Sequence, residues 1–99
     1  MTESLPLIDI LRACDSDARR AEWLLCCPLH IIGGQSQTIR DICRQAGFAA
    51  GVDYVEAECV GLWANRHPDG QHKAWVQISL DSAREALLAA AQLTEEARL

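Results

Sequence analysis

The chain has 99 residues, of which 49% are hydrophobic and 23% charged, and a formal net charge of −5. That length supports one core of ordinary size, and the composition excludes collagen-like, low-complexity and internally repeated architectures. No apolar run approaches the roughly 20 residues that span a bilayer, and the start at Met1 lacks the basic-then-apolar pattern of a secretory signal, so a cytoplasmic chain with no membrane association is expected.

Charge is unevenly placed. Residues 1–50 carry five Arg against six Asp and Glu, whereas 51–99 carry four basic residues against eight acidic ones. An acidic balance argues against broad attraction to nucleic acid, which needs a basic face to displace counterions. The five cysteines (Cys14, Cys26, Cys27, Cys43, Cys59) are odd in number and fall mostly on apolar positions. They read as free thiols in a reducing compartment, not as a disulfide frame.

Residues 5–14 place Leu7, Ile8, Leu11 and Cys14 at helical spacing, with Ser4 as cap and Pro6 in the first turn. Asp15-Ser16-Asp17 then interrupts the pattern and caps a second helix whose stripe is Ala18, Ala21, Leu24 and Leu25, stopped by Pro28. Leu29 to Ile32, closed by Gly33-Gly34, is too short for a helix by this reading and is expected as a buried strand or extended link. The spacing of Ile39, Ile42, Cys43 and Ala46 predicts a helix opening at Ser36 or Thr38, with Gly47 as left-handed stop and Phe48 as the apolar contact after it.

From Val52 the period changes. Val55, Ala57, Cys59 and Trp63 alternate with Tyr54, Glu56 and Glu58, and His67-Pro68-Asp69-Gly70 offers a turn. The returning run sets Ala74, Val76, Ile78 and Leu80 against Lys73, Trp75, Gln77 and Ser79. Two alternating runs across a turn predict a β-hairpin, with Gly61 marking a bulge. A last helix is expected from a Ser82/Glu85 capping box, with Ala83, Ala86, Leu87, Ala90, Ala91 and Leu93 as its stripe. Those small residues let another helix approach closely, from the same domain or from a second copy in a homodimer. The sequence therefore predicts one α+β domain over 1–99, in which helices pack on a small antiparallel hairpin sheet in an order that a winged helix shares.

Candidate chemistry reduces to structure at most positions. A zinc site would draw on the cysteines with His30, His67 and His72, but no two tight ligand pairs occur, and adjacent Cys26-Cys27 point different ways. No GxSxG elbow or protease-like Cys context is present, and Glu56 and Glu58 read as the wet side of a strand. Gly33-Gly34-Gln35-Ser36 lacks the Lys of a phosphate loop. No enzyme, metal or cofactor is expected. What remains is a contact surface for a protein or DNA: Gln37, Arg40, Arg44 and Gln45 off the stripe of the 36–46 helix, with Arg66, His67, His72 and Lys73 at the hairpin tip.

From Ser36 onward the chain resembles the N-terminal domain of phage antirepressors of the AntA/AntB type. That family carries a tryptophan-containing helix ending in a Tyr-Gly-Phe-like element, a GVDF or GVDY strand start, a polar hairpin, a return strand, and a helix opening on a serine- or threonine-initiated DxAxE element; here Thr38 or Ile39 stands near the place of that tryptophan. SQTIRDICRQAGF, GVDYV and ISLDSAREALL occupy those places in that order, and Ala97-Arg98 matches a terminal AR. The resemblance covers 36–99 and leaves 1–35 as a helical part without assigned role. It implies a regulator from phage or another mobile element that contacts a repressor or similar DNA-binding protein. A winged-helix DNA binder and an acidic inhibitor that mimics nucleic acid are the alternatives.

Overall fold

The computed structural model describes residues 6–98, with side chains described for 6–91. Among the described residues six helices follow one another: α1 (Pro6–Arg12), α2 (Asp17–Cys26), α3 (Leu29–Gly34), α4 (Ser36–Gln45), α5 (Ala49–Trp63) and α6 (Ala74–Arg98). No strand occurs among the described residues, which overturns the expected α+β class, its hairpin sheet and any winged-helix order.

The first elements form as their residues dictate. Ile8 and Leu11 of α1 are buried, and Ser16 caps α2 by accepting the Arg19 N–H at 3.2 Å. Ala18, Ala21 and Leu24 make the buried stripe of α2. Trp23 is also buried, a position the stripe omitted, and its indole Nε1 donates to the Leu7 carbonyl at 2.9 Å, tying α2 to α1. The expected Ser4 cap and the side chain of Leu93 lie outside the described residues.

The α4 terminus follows from Gly47. With φ at +73°, Gly47 donates to the Arg44 carbonyl while Phe48 donates to that of Cys43 at 2.8 Å, the paired bonds of a Schellman stop. Phe48 turns inward at 4% exposure and the chain re-enters helix as α5. Ile39, Ile42 and Cys43 are buried as the spacing predicts, although Gln35 occupies the cap position and neither Ser36 nor Thr38 makes a capping bond.

The hairpin fails for a reason of arithmetic. Four is a multiple of two, so Val55 and Cys59, or Val76 and Leu80, satisfy both an alternating strand and an i, i+4 helix stripe. The three-residue steps decide between them: Gly51, Tyr54, Val55, Glu58 and Gly61 form the buried face of α5, and Val76, Leu80, Ala83 and Leu87 turn inward along α6. Ile78, which a strand would have placed beside Val76 and Leu80, is 67% exposed. The Ser82/Glu85 pair consequently lies inside α6, which starts eight residues earlier than its expected cap. Leu29 to Ile32, expected as a buried strand or extended link, opens α3, where Pro28 at the cap position needs no donor and Gly33-Gly34 continue the helix.

Packing centres on α5, which touches α2, α3, α4 and α6, while α6 also lies along α2. Ala83, Ala90 and Ala91 pack against this core, so part of the small-residue stripe serves the approach of helices within the chain. The backbone spans 43 × 42 × 19 Å, and 19 Å between Cα atoms suits about two layers of helices whose axes lie about 10 Å apart. A slab of that kind leaves one face of its central helices open. The five cysteines are free thiols: Cys26 is exposed, Cys14 and Cys59 are half-buried, and Cys27 and Cys43 are buried.

Gly51 marks the closest approach of α4 and α5, since a Cβ there would stand 2.7 Å from Phe48 Cδ2 and 2.8 Å from Cys43 Sγ. Gly51→Ala should destabilise the fold by about 1–3 kcal/mol, overpacking outweighing a helix-propensity gain of roughly 1 kcal/mol. Gly34→Ala meets no atom within 4 Å at a helical position and should stabilise by about 0.4–1 kcal/mol. Urea melts of the two variants check the opposed signs. Equal stabilisation by both would refute the close approach.

Burial pushes the Cys27 and Cys43 thiols up to about 11 from an ordinary 9.0, because desolvation penalises the thiolate. A raised folded-state value favours the native state fully below pH 9.0, and that contribution is lost as pH climbs through about 11. Tyr54, raised by burial and then by the charge of Glu58, acts in the same sense. The urea midpoint is therefore expected to fall between those two pH values, and to fall less in a Cys27→Ala, Cys43→Ala double variant.

Candidate docking groove

The open face of the slab lies between α5 and α6. On α5, Asp53, Glu56, Ala57 and Val60 share one side; on α6, Trp75, Ile78, Ser79, Ser82, Ala83 and Ala86 recur at steps of three and four. Together they line a groove of about 570 Å³. Its lining includes Trp75 at 58% exposure, Ile78 at 67% and Val60 at 46%, together with Ala57, Ala83 and Ala86. Of the eight large hydrophobics that remain exposed among the described residues, Val60, Leu62, Trp63, Trp75, Ile78 and Leu88 belong to these two helices. Scattered exposed apolar side chains are ordinary, and here three of them, Val60, Trp75 and Ile78, stand along one trough.

The charge in the groove has one sign. Asp53 and Glu56 line it and no Lys or Arg does. Glu56 is approached from α4 by Arg40 Nη1 at 4.0 Å and Arg44 Nη2 at 3.7 Å, long contacts with both partners partly exposed. Asp53 makes no ion pair among the described residues.

On the inward side of α5, Glu58 is 3% exposed, the only charged side chain that is buried among the described residues. It was expected on the wet side of a strand; on a helix it shares the inward face with Tyr54 and Val55. Arg84 of α6 answers it, donating through Nε at 3.1 Å and Nη2 at 2.7 Å to the same Oε1 atom. For Arg84, burial works against the cation, but the hydrogen bond and charge of Glu58 outweigh it and the guanidinium is held above its ordinary range. No periodicity signal marked this pair, because the two residues stand twenty-six positions apart on elements read as strand and capped helix.

The contact residues expected from the sequence fall into two separate places. Gln37, Arg40 and Arg44 lie along α4 and are engaged locally: Gln37 donates to Asp41 at 2.9 Å, Arg40 donates to Gln37 at 3.1 Å, and Arg44 lies 3.5 Å from Asp41. Gln45 is exposed at the end of that helix. Arg66, His67, His72 and Lys73 belong to the connection between α5 and α6, where a tight turn is closed by His67 N–H to the Gln71 carbonyl at 2.9 Å and by Gly70 at φ +86°. The turn itself was legible in His67-Pro68-Asp69-Gly70, but it joins two helices instead of two strands. No ion pair, hydrogen bond or cavity among the described residues brings the α4 cluster together with this loop.

Among the described residues no group of three or more His, Cys, Asp or Glu side chains is placed to hold a metal, and no helix is long and apolar enough to cross a membrane. No family model matches the chain, and no curated protein or solved structure matches it significantly.

Proposed function

We infer that this chain is a small helical regulator that acts by protein contact, its α5–α6 groove receiving an amphipathic basic helix of a DNA-binding partner. The observation that supports this most is the groove itself, an exposed apolar trough lined by Asp53, which has no ion-pair partner among the described residues, and by Glu56, which Arg40 and Arg44 approach from α4. Helix-in-groove recognition uses such a surface: apolar anchors at three- and four-residue spacing enter the trough, and charges at its edge set orientation and partner choice. A basic partner suits a molecule of net charge −5, and nucleic-acid-binding proteins present such surfaces. The antirepressor resemblance points to the same partner class, a repressor or similar protein, although the hairpin on which part of it rested is helix in the structure.

Direct contact with DNA through α4 is a weaker reading. Arg40 and Arg44 face Glu56 and Asp41, so their charge is largely balanced within the molecule before any phosphate arrives. A second copy in the groove would bring a further charge of −5 against the first, which disfavours a homodimer on this face.

The test is calorimetric titration with a synthetic amphipathic helix bearing Lys and Arg on its polar face, beside a peptide with the same apolar pattern and acidic residues instead. The basic peptide should bind one per chain, with affinity falling as salt rises. Trp75→Ala and Ile78→Ser should each weaken binding about tenfold or more with the helical circular dichroism unchanged, since both side chains are exposed in the free molecule. Equal binding of both peptides, or indifference to Trp75→Ala, would overturn the reading. So would a duplex-DNA shift abolished by Arg40→Ala with Arg44→Ala.

A further inference from the structure

The groove differs between its two ends. Arg84 of α6 bonds Glu58 of α5, and a Cβ on Gly61 would stand 3.3 Å from Leu80 Cδ1. Residue numbers thus rise along one helix as they fall along the other, and α5 and α6 run antiparallel. Val60 therefore lies towards the end of the groove that holds Trp75 and Ile78, whereas Asp53 and Glu56 lie towards the end that holds Ala86. Resting on the reading of this groove as the seat of a basic helix, we propose that the partner helix clusters its cations at one end, about two turns from its apolar anchors, and that Asp53 selects for this order. Along α5 the step from Asp53 to Val60 covers about 10 Å, or about two turns of any helix laid beside it.

Asp53 is singled out by its surroundings. It is exposed and makes no ion pair among the described residues, whereas Glu56 is approached by both Arg40 and Arg44. A partner cation at Glu56 competes with two guanidinium groups of the chain itself; at Asp53 it competes with none. Beyond Asp53 opens a second hollow of about 320 Å³, which Asp53 lines together with Phe48, Val52 and Arg44. A cation carried past Asp53 meets the like charge of Arg44, which disfavours a partner whose cations run on further. At the opposite end, beside Val60, Trp75 and Ile78, no charged residue lines the groove among those described, so a cation laid there loses water with no counter-charge against it. The two ends thus favour unlike groups, cation over Asp53 and apolar anchor over Trp75 and Ile78.

The probes are two synthetic peptides matched in composition, net charge and helicity, titrated calorimetrically into the full chain. One groups its lysines in a single turn at one end, with Leu and Trp at three- and four-residue spacing beyond; the other spreads the same lysines along its whole polar face. The grouped peptide should bind about three- to fivefold more tightly, the range that one partly exposed ion pair supports, and its advantage should shrink as salt rises. Asp53→Asn, at an exposed side chain, should abolish that advantage with the helical circular dichroism unchanged. Trp75→Ala should weaken both peptides alike. Equal affinity of the two peptides for the parent, or an advantage that survives Asp53→Asn, overturns the selection by Asp53; if Trp75→Ala still weakens both, the groove's reading as a seat for a basic helix stands without it. Failure of both peptides to bind overturns the two together.

Discussion

The buried carboxylate of Glu58 constrains more of this molecule than any other single group. Taking one charge out of water costs several kcal/mol, and the cost is met only where a cation arrives with good geometry. Arg84 supplies it from α6, with two N–H groups on one oxygen. Once that pair is made, the rotation of α6 on α5 is fixed: Val76, Leu80 and Leu87 face the core, and Trp75 and Ile78 face out. The groove is a consequence of the register that this pair sets. Arg84 retains 41% exposure of its side chain, so the pair is solvated at one end and its value lies in specifying the seam more than in raw stability.

What the residues revealed unaided depended on whether a local signal had competition. Ser16, Pro28 and the Gly47-Phe48 stop act through backbone chemistry within a few residues, and each appears in the structure as its chemistry requires. The alternation over 55–63 and 74–80 misled because the four-residue step belongs to both periods. The resolving evidence was the inward side of α5, where Gly51 and Gly61 count as buried positions although a reading of apolar side chains passes over glycine. Trp23 was missed for a related reason: its burial comes from α1, sixteen residues back, through a bond to a main-chain carbonyl. The groove was hidden, since Ile78 was placed on the apolar face of a strand and Trp75 on the opposite face with Lys73, Gln77 and Ser79. On a helix they are three apart and adjacent.

The same geometry redistributes the functional weight of the chain. Cations that looked free along the sequence are held by acids one turn or one helix away: Arg20 by Asp17, Arg40 and Arg44 by Glu56 and Asp41. Their charge is spent inside the molecule. The exposed apolar surface, by contrast, has collected on α5 and α6, beside Asp53 and Glu56. Under the proposed function, desolvation in the apolar trough and charge at its acidic edge would together favour a basic amphipathic helix, and neither alone would discriminate as well.

The three tryptophans provide the most direct measurement of that account. Trp23 is buried against α1, Trp63 is 88% exposed at the end of α5, and Trp75 lines the groove, so their indole N–H resonances report from three distinct places. On titration with a basic amphipathic peptide, the Trp75 resonance should move saturably while that of Trp23 stays in place. A peptide that binds without moving Trp75, or one that moves Trp23 to the same extent, would contradict docking in the α5–α6 groove.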